Sequence, residues 1–385
     1  MIKGYLKKVI IPVILTVFSI LLTGCWSYQE INEYHLVTSA AFDYEESNGM
    51  YSITTEIISL SEEKDMQQAR YFSTYGSTAF DAVRDFITKT GRKLFWGHGK
   101  VVVLGKNVAS KGLIPLVDMP FRDAELRGDL WLFISEETSG KEVLVTAQDR
   151  RHPLKSTQLT RSIKNSEFVS TYYGVQLWEF VKALNAEGIS PTLPVVRLIK
   201  EENESHIQVG GTAVFKKDKM VGTLDEKDTK SFLFVIDKMK HGLFKVKSKD
   251  LEEIVTLEIF DSKTKVGAEL ENGDIVMNIN VKIKTGIAEI NGISNYAEKQ
   301  VLEGLRRDAG DKLKRNMEQV IEKVQKNFQS DIFHFAKYVR AHMPKYWNEI
   351  KHEWESVFSG IKTNINVEFE INSSALSFEA IKVVE

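Results

Sequence analysis

The chain has one cysteine in 385 residues, so it cannot form an internal disulfide or a metal site built from several cysteines. Its formal net charge is -2, and this balance gives no indication of nucleic-acid binding. Beyond the first 24 residues, no segment is apolar enough to cross a bilayer. What remains is a composition typical of soluble globular proteins, with 43% hydrophobic and 27% charged residues.

The N-terminus has the three parts of a secretory signal: a basic start, an apolar run and small residues before a cleavage site. The basic start contains Lys3, Lys7 and Lys8. The apolar run over residues 9–22 is about 14 residues long, short of the roughly 20 that a transmembrane helix needs, and Pro12 interrupts it. The sequence therefore predicts that residues 1–24 are a signal peptide that is removed.

The single cysteine, Cys25, directly follows Leu22-Thr23-Gly24. This arrangement resembles the bacterial lipobox, in which the thiol receives a diacylglyceryl group and cleavage makes the cysteine the new N-terminus. The alternative is a buried free cysteine that behaves as a small hydrophobe. Because two acyl chains give stable anchoring, we expect Cys25 to tether the mature protein to the outer face of a membrane, with residues 25–33 as the tether.

The remaining chain is long enough for two or three domains. Alternating and β-branched segments predict strands, and Asn48-Gly49 predicts a hairpin turn between the first two. Apolar residues at helical spacing predict helices. In the first half the predicted strands cover residues 34–42, 51–59, 101–103 and 129–135, with an edge strand at 191–198; the predicted helices cover 78–89, 107–117, 140–146 and 168–186.

The polar segment 201–206 separates these elements from a second group and predicts a linker between domains at 34–200 and 207–385. The second group contains a hairpin around residues 216–218, strands at 253–260 and 274–284, and a long amphipathic helix over 301–328. Helices on either side of Pro344 and a strand at 365–371 follow. Strands followed by helices predict an α+β fold, with mixed or antiparallel sheets, packed helices and a long amphipathic helix near the C-terminus.

Two segments are candidate functional sites. His98 lies between two glycines beside a predicted strand, where a ligand could approach closely, although such glycines also mark a bend or bulge. The charge-dense segment 121–127 contains Arg122, Asp123, Glu125 and Arg127. Paired carboxylates can serve acid–base catalysis, but no nucleophile or metal partner stands at a recognisable spacing, so a salt-bridged loop or a partner-facing patch is the simpler interpretation.

No other pattern indicates catalysis. His334, His342 and His352 lack a metal-binding spacing, and we expect them on the surface or at helix caps. Trp178, Trp347 and Trp354 stand at the helical spacing of core residues. We therefore predict no enzyme activity, no cofactor and no metal.

Five segments together resemble the Ger(x)C family, the C subunits of spore germinant receptors. They run in family order over nearly the whole mature chain: residues 22–32 with the lipobox, 97–105, 121–127, 211–222, and 331–338 with Tyr346-Trp347. One departure is Ser27, where the family usually has aspartate two residues after the cysteine. This difference affects the tether and not the fold.

The resemblance implies a lipoprotein on the outer face of the spore inner membrane, without catalysis. It implies assembly with an integral-membrane A subunit and a permease-like B subunit that sense nutrients and commit the spore to germination. The alternative is a solute-binding lipoprotein of a transporter, which requires two α/β lobes with repeated strand–helix alternation. A lipid-anchored hydrolase would require a nucleophile elbow or a metal pair, and neither is present.

Overall fold

The structure is a computed structural model that describes residues 10–13, 33–60, 67–122, 127–146, 154–201, 204–249, 252–292, 296 and 298–372. Cys25, most of the predicted signal peptide and most of the tether lie outside these residues. Asp123 and Glu125 also lie outside them.

The larger of two sheets has ten strands, in the order β10-β9-β8-β6-β5-β1-β2-β3, with β4 beside β1 and β7 beside β6. The strands are β1 (Tyr34–Glu45), β2 (Met50–Leu60), β3 (Gln67–Gly76), β4 (Lys93–Phe95), β5 (Val101–Leu104), β6 (Trp131–Ser135), β7 (Val175–Gln176), β8 (Thr192–Glu201), β9 (Glu204–Lys216) and β10 (Lys219–Leu224). The helices between them are α1 (Ala79–Thr90), α2 (Lys106–Lys111), α3 (Ile114–Arg122), α4 (Gly140–Thr146), α5 (Lys155–Lys164), α6 (Ser166–Val169) and α7 (Leu177–Leu184).

The predicted mixed sheet is confirmed, but its centre is more parallel than the sequence indicates. Three neighbouring pairs in the centre of the sheet are parallel: β1 with β5, β5 with β6, and β6 with β8. Helices connect these strands, as parallel pairing requires. All four residues of β5 are buried. Because both faces of this strand are covered, its sequence is a continuous run of apolar residues and does not alternate with polar ones.

Buried carboxylates attach two helices to this sheet. Asp43 on β1 accepts hydrogen bonds from the backbone N–H groups of Gly140 and Lys141 at the start of α4. Glu56 on β2 accepts from the N–H groups of Lys155 and Ser156 at the start of α5. These acids satisfy helix donors that have no partner within the helix, so we assign them a structural role.

The predicted linker and the predicted edge strand need correction. Strand β8 is not an edge strand, because it lies between β6 and β9. Glu201 ends β8 and pairs with Glu204, the first residue of β9, so the described residues of the predicted linker form the end of a hairpin. Strands β9 and β10 therefore extend the sheet of the first half. Independent folding of residues 34–200 and 207–385 stays a prediction.

The second sheet has four strands in the order β11-β12-β13-β14. They are β11 (Gly242–Lys247), β12 (Ile254–Glu271), β13 (Asp274–Asn291) and β14 (Lys362–Asn372). The helices of this half are α8 (Glu226–Val235), α9 (Lys299–Lys323), α10 (Phe335–His342), α11 (Pro344–Ile350) and α12 (Trp354–Gly360). Helix α9 continues as a π-helix at Val324–Phe328, which confirms the long helix near the C-terminus. Its apolar stripe packs with the inner face of this sheet in one core.

The helix predicted over residues 168–186 is wrong. The segment contains the end of α6, an irregular stretch with the short strand β7, and then α7. Ser170 ends α6 in the left-handed conformation, with φ 49°, and β7 pairs with β6. Pairing with the sheet therefore overrides the helical periodicity of this segment.

Candidate functional site

A surface cavity of about 380 Å³ brings two of the predicted site residues together. His98 and Arg127 both line it, together with Lys100 and Asp129. His98 and Arg127 are distant in the sequence, and they meet because the segments before β5 and before β6 lie side by side where these strands pair.

The stretch around His98 is a turn, as the bend interpretation expects. Gly99 N–H donates to the carbonyl of Trp96 at 2.8 Å. A Cβ atom on Gly97 would lie 2.6 Å from the ring of Phe95, so a larger residue there would displace that ring. The His98 side chain is exposed, with its ring 5.7 Å from that of Phe95. The turn therefore presents an imidazole to solvent without burying it.

Arg122 and Arg127 form ion pairs close in sequence, on the surface. Arg122 at the end of α3 pairs with Asp118, and Arg127 pairs with Asp129 at 2.7 Å. The two arginine side chains are 77% and 62% exposed. Exposed pairs of this kind contribute only about 0–1 kcal/mol to stability. The arginines are thus available for contact with a partner, although Arg122 does not line the cavity that contains His98.

A larger cleft of about 1390 Å³ lies between the two halves of the chain. One wall contains Ile114 and Phe121 of α3, which are 56% and 58% exposed. The opposite wall is formed by α12 and the residues just before it. Ion pairs beside the cleft connect the C-terminal helical region to β9 and to the loop after α7: Glu355 with Lys216 at 2.9 Å, and Lys351 with Glu187 at 3.4 Å. Phe121 begins the segment 121–127 that the sequence singles out, whereas no sequence pattern marks Ile114.

Asp331, at the edge of this cleft, is a buried residue whose one sequence signal is its position at the start of the family-like segment 331–338. Its carboxylate accepts hydrogen bonds from the N–H groups of Phe335 and Ala336, at 3.0 and 2.7 Å, and from Nε1 of Trp354 at 3.2 Å. Its carbonyl accepts from the N–H of Ser190 in the first half. Burial raises the pKa of Asp331 to about 7, although the three donors act in the opposite direction. Asp331 therefore joins α10, α12 and the loop after α7.

The contact between the loop after α7 and the C-terminal helices also accounts for the glycine at position 188. This glycine has φ +77°, and a Cβ atom there would lie 2.7 Å from Cβ of Ala336 and 2.8 Å from the ring of Trp347. Only glycine fits both the left-handed backbone and the close contact with the C-terminal helices.

The remaining tryptophans and histidines that the sequence analysis considered differ in their exposure. Trp347 and Trp354 are core residues, 2% and 4% exposed, whereas Trp178 is 46% exposed. His342 and His352 are exposed. His334 is partly buried, and burial together with Lys337 and Lys238 lowers its pKa to about 4.

Among the described residues there is neither a metal-binding cluster nor a helix that could cross a membrane. No group of three or more histidine, cysteine or acidic residues within them is arranged to hold a metal ion. None of their helices combines the length and apolar character that membrane crossing requires.

Comparison with protein families gives two matches that together cover most of the chain. Residues 27–198 match the spore germination protein N-terminal domain. Residues 210–375 match the family described as spore germination B3/GerAC like, C-terminal. The division between the two matches falls near the β8–β9 hairpin.

Curated relatives are similar to this chain along nearly their whole length. Spore germination protein B3 of Bacillus subtilis (strain 168) is 25% identical, covering 91% of this chain and 94% of the relative. Spore germination protein KC of the same organism is 19% identical, with 98% coverage of both. Spore germination protein GerQC of Bacillus cereus is 21% identical, covering 97% of this chain and all of the relative.

A solved structure has the same fold. The crystal structure of the GerBC protein matches with a TM-score of 0.55 and 22% identity, covering 86% of this chain and 96% of that one. This fold differs from the two α/β lobes that a solute-binding lipoprotein requires, since strands of both predicted domains share the ten-stranded sheet. The α+β prediction is confirmed.

Proposed function

Because the chain belongs to the spore germination B3/GerAC-like family, we propose that it is the lipid-anchored subunit of a nutrient germinant receptor in the spore inner membrane. It acts by assembly with an integral-membrane A subunit and a permease-like B subunit, and not by catalysis. The observation that carries this proposal is the pair of family matches over residues 27–198 and 210–375, which begin two residues after the lipobox cysteine, Cys25.

The contact surface in this proposal is the contact patch, defined as His98, Arg122 and Arg127. All three side chains are exposed. Within the part of the chain that the structure describes, the arginines pair with neighbouring aspartates, so they can exchange these partners for acidic groups on another subunit at little cost. Charges at an interface set register and exclude wrong partners more than they add affinity. Asp123 and Glu125, the other predicted contact residues, belong to the same proposal by their sequence position.

The anchor is tested by Cys25→Ala. The thiol is the only atom in the sequence that can receive the diacylglyceryl group of a lipobox. We expect the variant to lose all label when cells are fed a radioactive fatty acid, and to leave the membrane fraction or keep its uncut signal. Cys25→Ser is a conservative control that should behave in the same way. Unchanged label in either variant would refute the anchor.

The contact patch is tested by the double reversal Arg122→Glu/Arg127→Glu. Because both side chains are exposed, we expect the melting temperature to stay within a few degrees, since surface pairs are worth at most about 1 kcal/mol. We expect co-purification with the two membrane subunits from spore membranes to decrease, and nutrient-triggered germination to slow.

The matched control for this experiment is Lys263→Glu/Lys265→Glu. Both lysines lie on β12 and are exposed, and the charge changes by the same amount. Equal loss of assembly in both double variants would indicate a general charge effect. A fully assembled and germinating Arg122→Glu/Arg127→Glu protein would show that the patch is not a contact surface.

A further inference from the structure

Five basic side chains from three elements of the second half form one surface, which we call the basic face. Helix α8 contributes Lys227 and Lys230, β11 contributes Lys245, and α9 contributes Lys312 and Arg315. On each helix the two residues are three positions apart, so both project from one side.

Two of these lysines are fixed at the free edge of β11. Among the strands that the structure describes, β12 is its one partner. Nζ of Lys230 donates to the carbonyl of Leu243 at 3.4 Å, and Nζ of Lys312 donates to the carbonyl of Lys245 at 2.8 Å. These carbonyls are two residues apart on one side of the strand, so the two ammonium groups are held roughly 7 Å apart along it. The bonds leave both positive charges uncompensated.

Acidic groups of α8 and α9 only partly offset the basic face: Asp311 interacts electrostatically with Arg315 as well as with Lys249. The acids of α8 and α9 nearest in sequence have other partners: Glu226 pairs with Arg197, Asp228 with Lys323, and Asp311 with Lys249. Within the residues that the structure describes, Lys227, Lys245 and Arg315 form no ion pair and are exposed.

The mutual repulsion of these cations affects their protonation. Burial and the charge of Lys245 lower the pKa of Lys230. Burial, Lys227 and Arg315 lower the pKa of Lys312. A counter-anion placed on the surface would relieve this repulsion.

Exposed apolar side chains lie beside the basic face. Leu243 on β11 is 46% exposed, and Phe168 and Val169 at the end of α6 are 65% and 45% exposed. The next residue, Ser170, donates from Oγ to the carbonyl of His241 at 2.6 Å, which places the end of α6 next to the start of β11. Large apolar side chains beside lysine and arginine are the combination that binds the interface of an anionic bilayer. An acidic protein segment would use the cations without needing the exposed phenylalanine and leucine.

We propose that the basic face binds anionic lipid headgroups at a membrane surface, with Phe168 and Leu243 at the boundary of the acyl chains. This inference rests on the proposed membrane location of the protein. It adds a second membrane contact to the lipid anchor and fixes which side of the protein faces the bilayer.

The test uses the chain from residue 25 onward with Cys25→Ala, so that neither the signal segment nor an acyl group contributes. This protein keeps every strand of both sheets. Flotation measures its binding to vesicles of phosphatidylcholine alone and of phosphatidylcholine with an equal part of phosphatidylglycerol. We expect binding only to the anionic vesicles and a decrease with salt, because screening weakens the attraction. Each basic residue near such a surface contributes about fivefold in affinity, so Lys227→Glu/Arg315→Glu is expected to weaken binding about 25-fold or more.

The matched control is Lys106→Glu/Lys219→Glu, two exposed lysines on α2 and β10 with the same total change of charge. It should bind nearly as well as the parent, and Lys227→Arg/Arg315→Lys should retain binding. The proposal is overturned if the parent does not bind anionic vesicles, or if both reversal variants weaken equally. Fatty-acid labelling of Cys25 is independent of this assay, so failure of the anchor and failure of the basic face are distinguishable.

Discussion

Replacement of Gly188 by alanine is expected to lower the free energy of unfolding by about 2–5 kcal/mol. An L-residue in the left-handed region costs about 1–2 kcal/mol, and the backbone of Gly188 has φ +77°. The new methyl group would also lie within 3.0 Å of Ala336, Trp347 and Trp354, and overpacking of this kind costs about 1–3 kcal/mol. Chemical denaturation of the parent and the variant measures the difference.

Gly91→Ala is the control that separates backbone strain from packing. Gly91 ends α1 with φ +72°, close to the value at Gly188, but a Cβ atom on Gly91 would have no other atom within 4 Å. This variant should lose only the backbone contribution, about 1–2 kcal/mol. If the two variants are equally stable, the contact between the loop after α7 and the C-terminal helices is not tightly packed.

The sequence predicts elements well where local signals agree with tertiary packing. Helix α1 has such signals at both ends: Thr78 accepts from the N–H of Asp81 at its start, and Gly91 ends it in the left-handed conformation. Its buried face contains the apolar residues that set the helical period. The hairpin turn at Gly49 is also confirmed, with φ +71°.

The predictions made from the sequence are wrong where contacts between distant parts of the chain determine the structure. The polar composition of residues 201–206 suggests a linker, but β8 and β9 pair along most of their length, and Glu201 and Glu204 are paired at their ends. No local signal distinguishes a polar linker from the polar tip of a hairpin. Likewise, Trp178 follows the helical spacing of core residues, yet its side of α7 is open to solvent.

In the candidate site, too, the residues marked by local signals are predictable and those defined by distant contacts are not. Glycine boundaries and charge density are local, so His98, Arg122 and Arg127 could be selected from the sequence. Asp331 could not, because its role depends on donors from α10 and α12 and on Ser190 from the other half of the chain. Its position within a family-like segment is the one sequence signal that points to it.

Truncation of this residue, Asp331→Ala, is expected to lower the free energy of unfolding by about 3 kcal/mol or more. The substitution leaves the N–H groups of Phe335 and Ala336 and Nε1 of Trp354 without their acceptor in a buried site, and each such group costs about 1–3 kcal/mol. The exposed helix cap Thr78→Ala is the comparison, with an expected loss of about 1 kcal/mol. Equal losses in the two variants would show that Asp331 does no more than an ordinary surface cap.

Asp331→Asn keeps the shape and one acceptor oxygen but removes the titration, and it therefore isolates the pH dependence. The pKa of Asp331 rises from 3.8 to about 7 on folding. Between these values the folded protein holds a proton that the unfolded chain has released, so the parent should lose stability as pH rises from about 4 to about 7. Asp331→Asn should show a flatter profile over that window, measured by denaturation at several pH values. A profile parallel to that of the parent would mean that Asp331 is ionised throughout, and that its three hydrogen-bond donors outweigh the effect of burial.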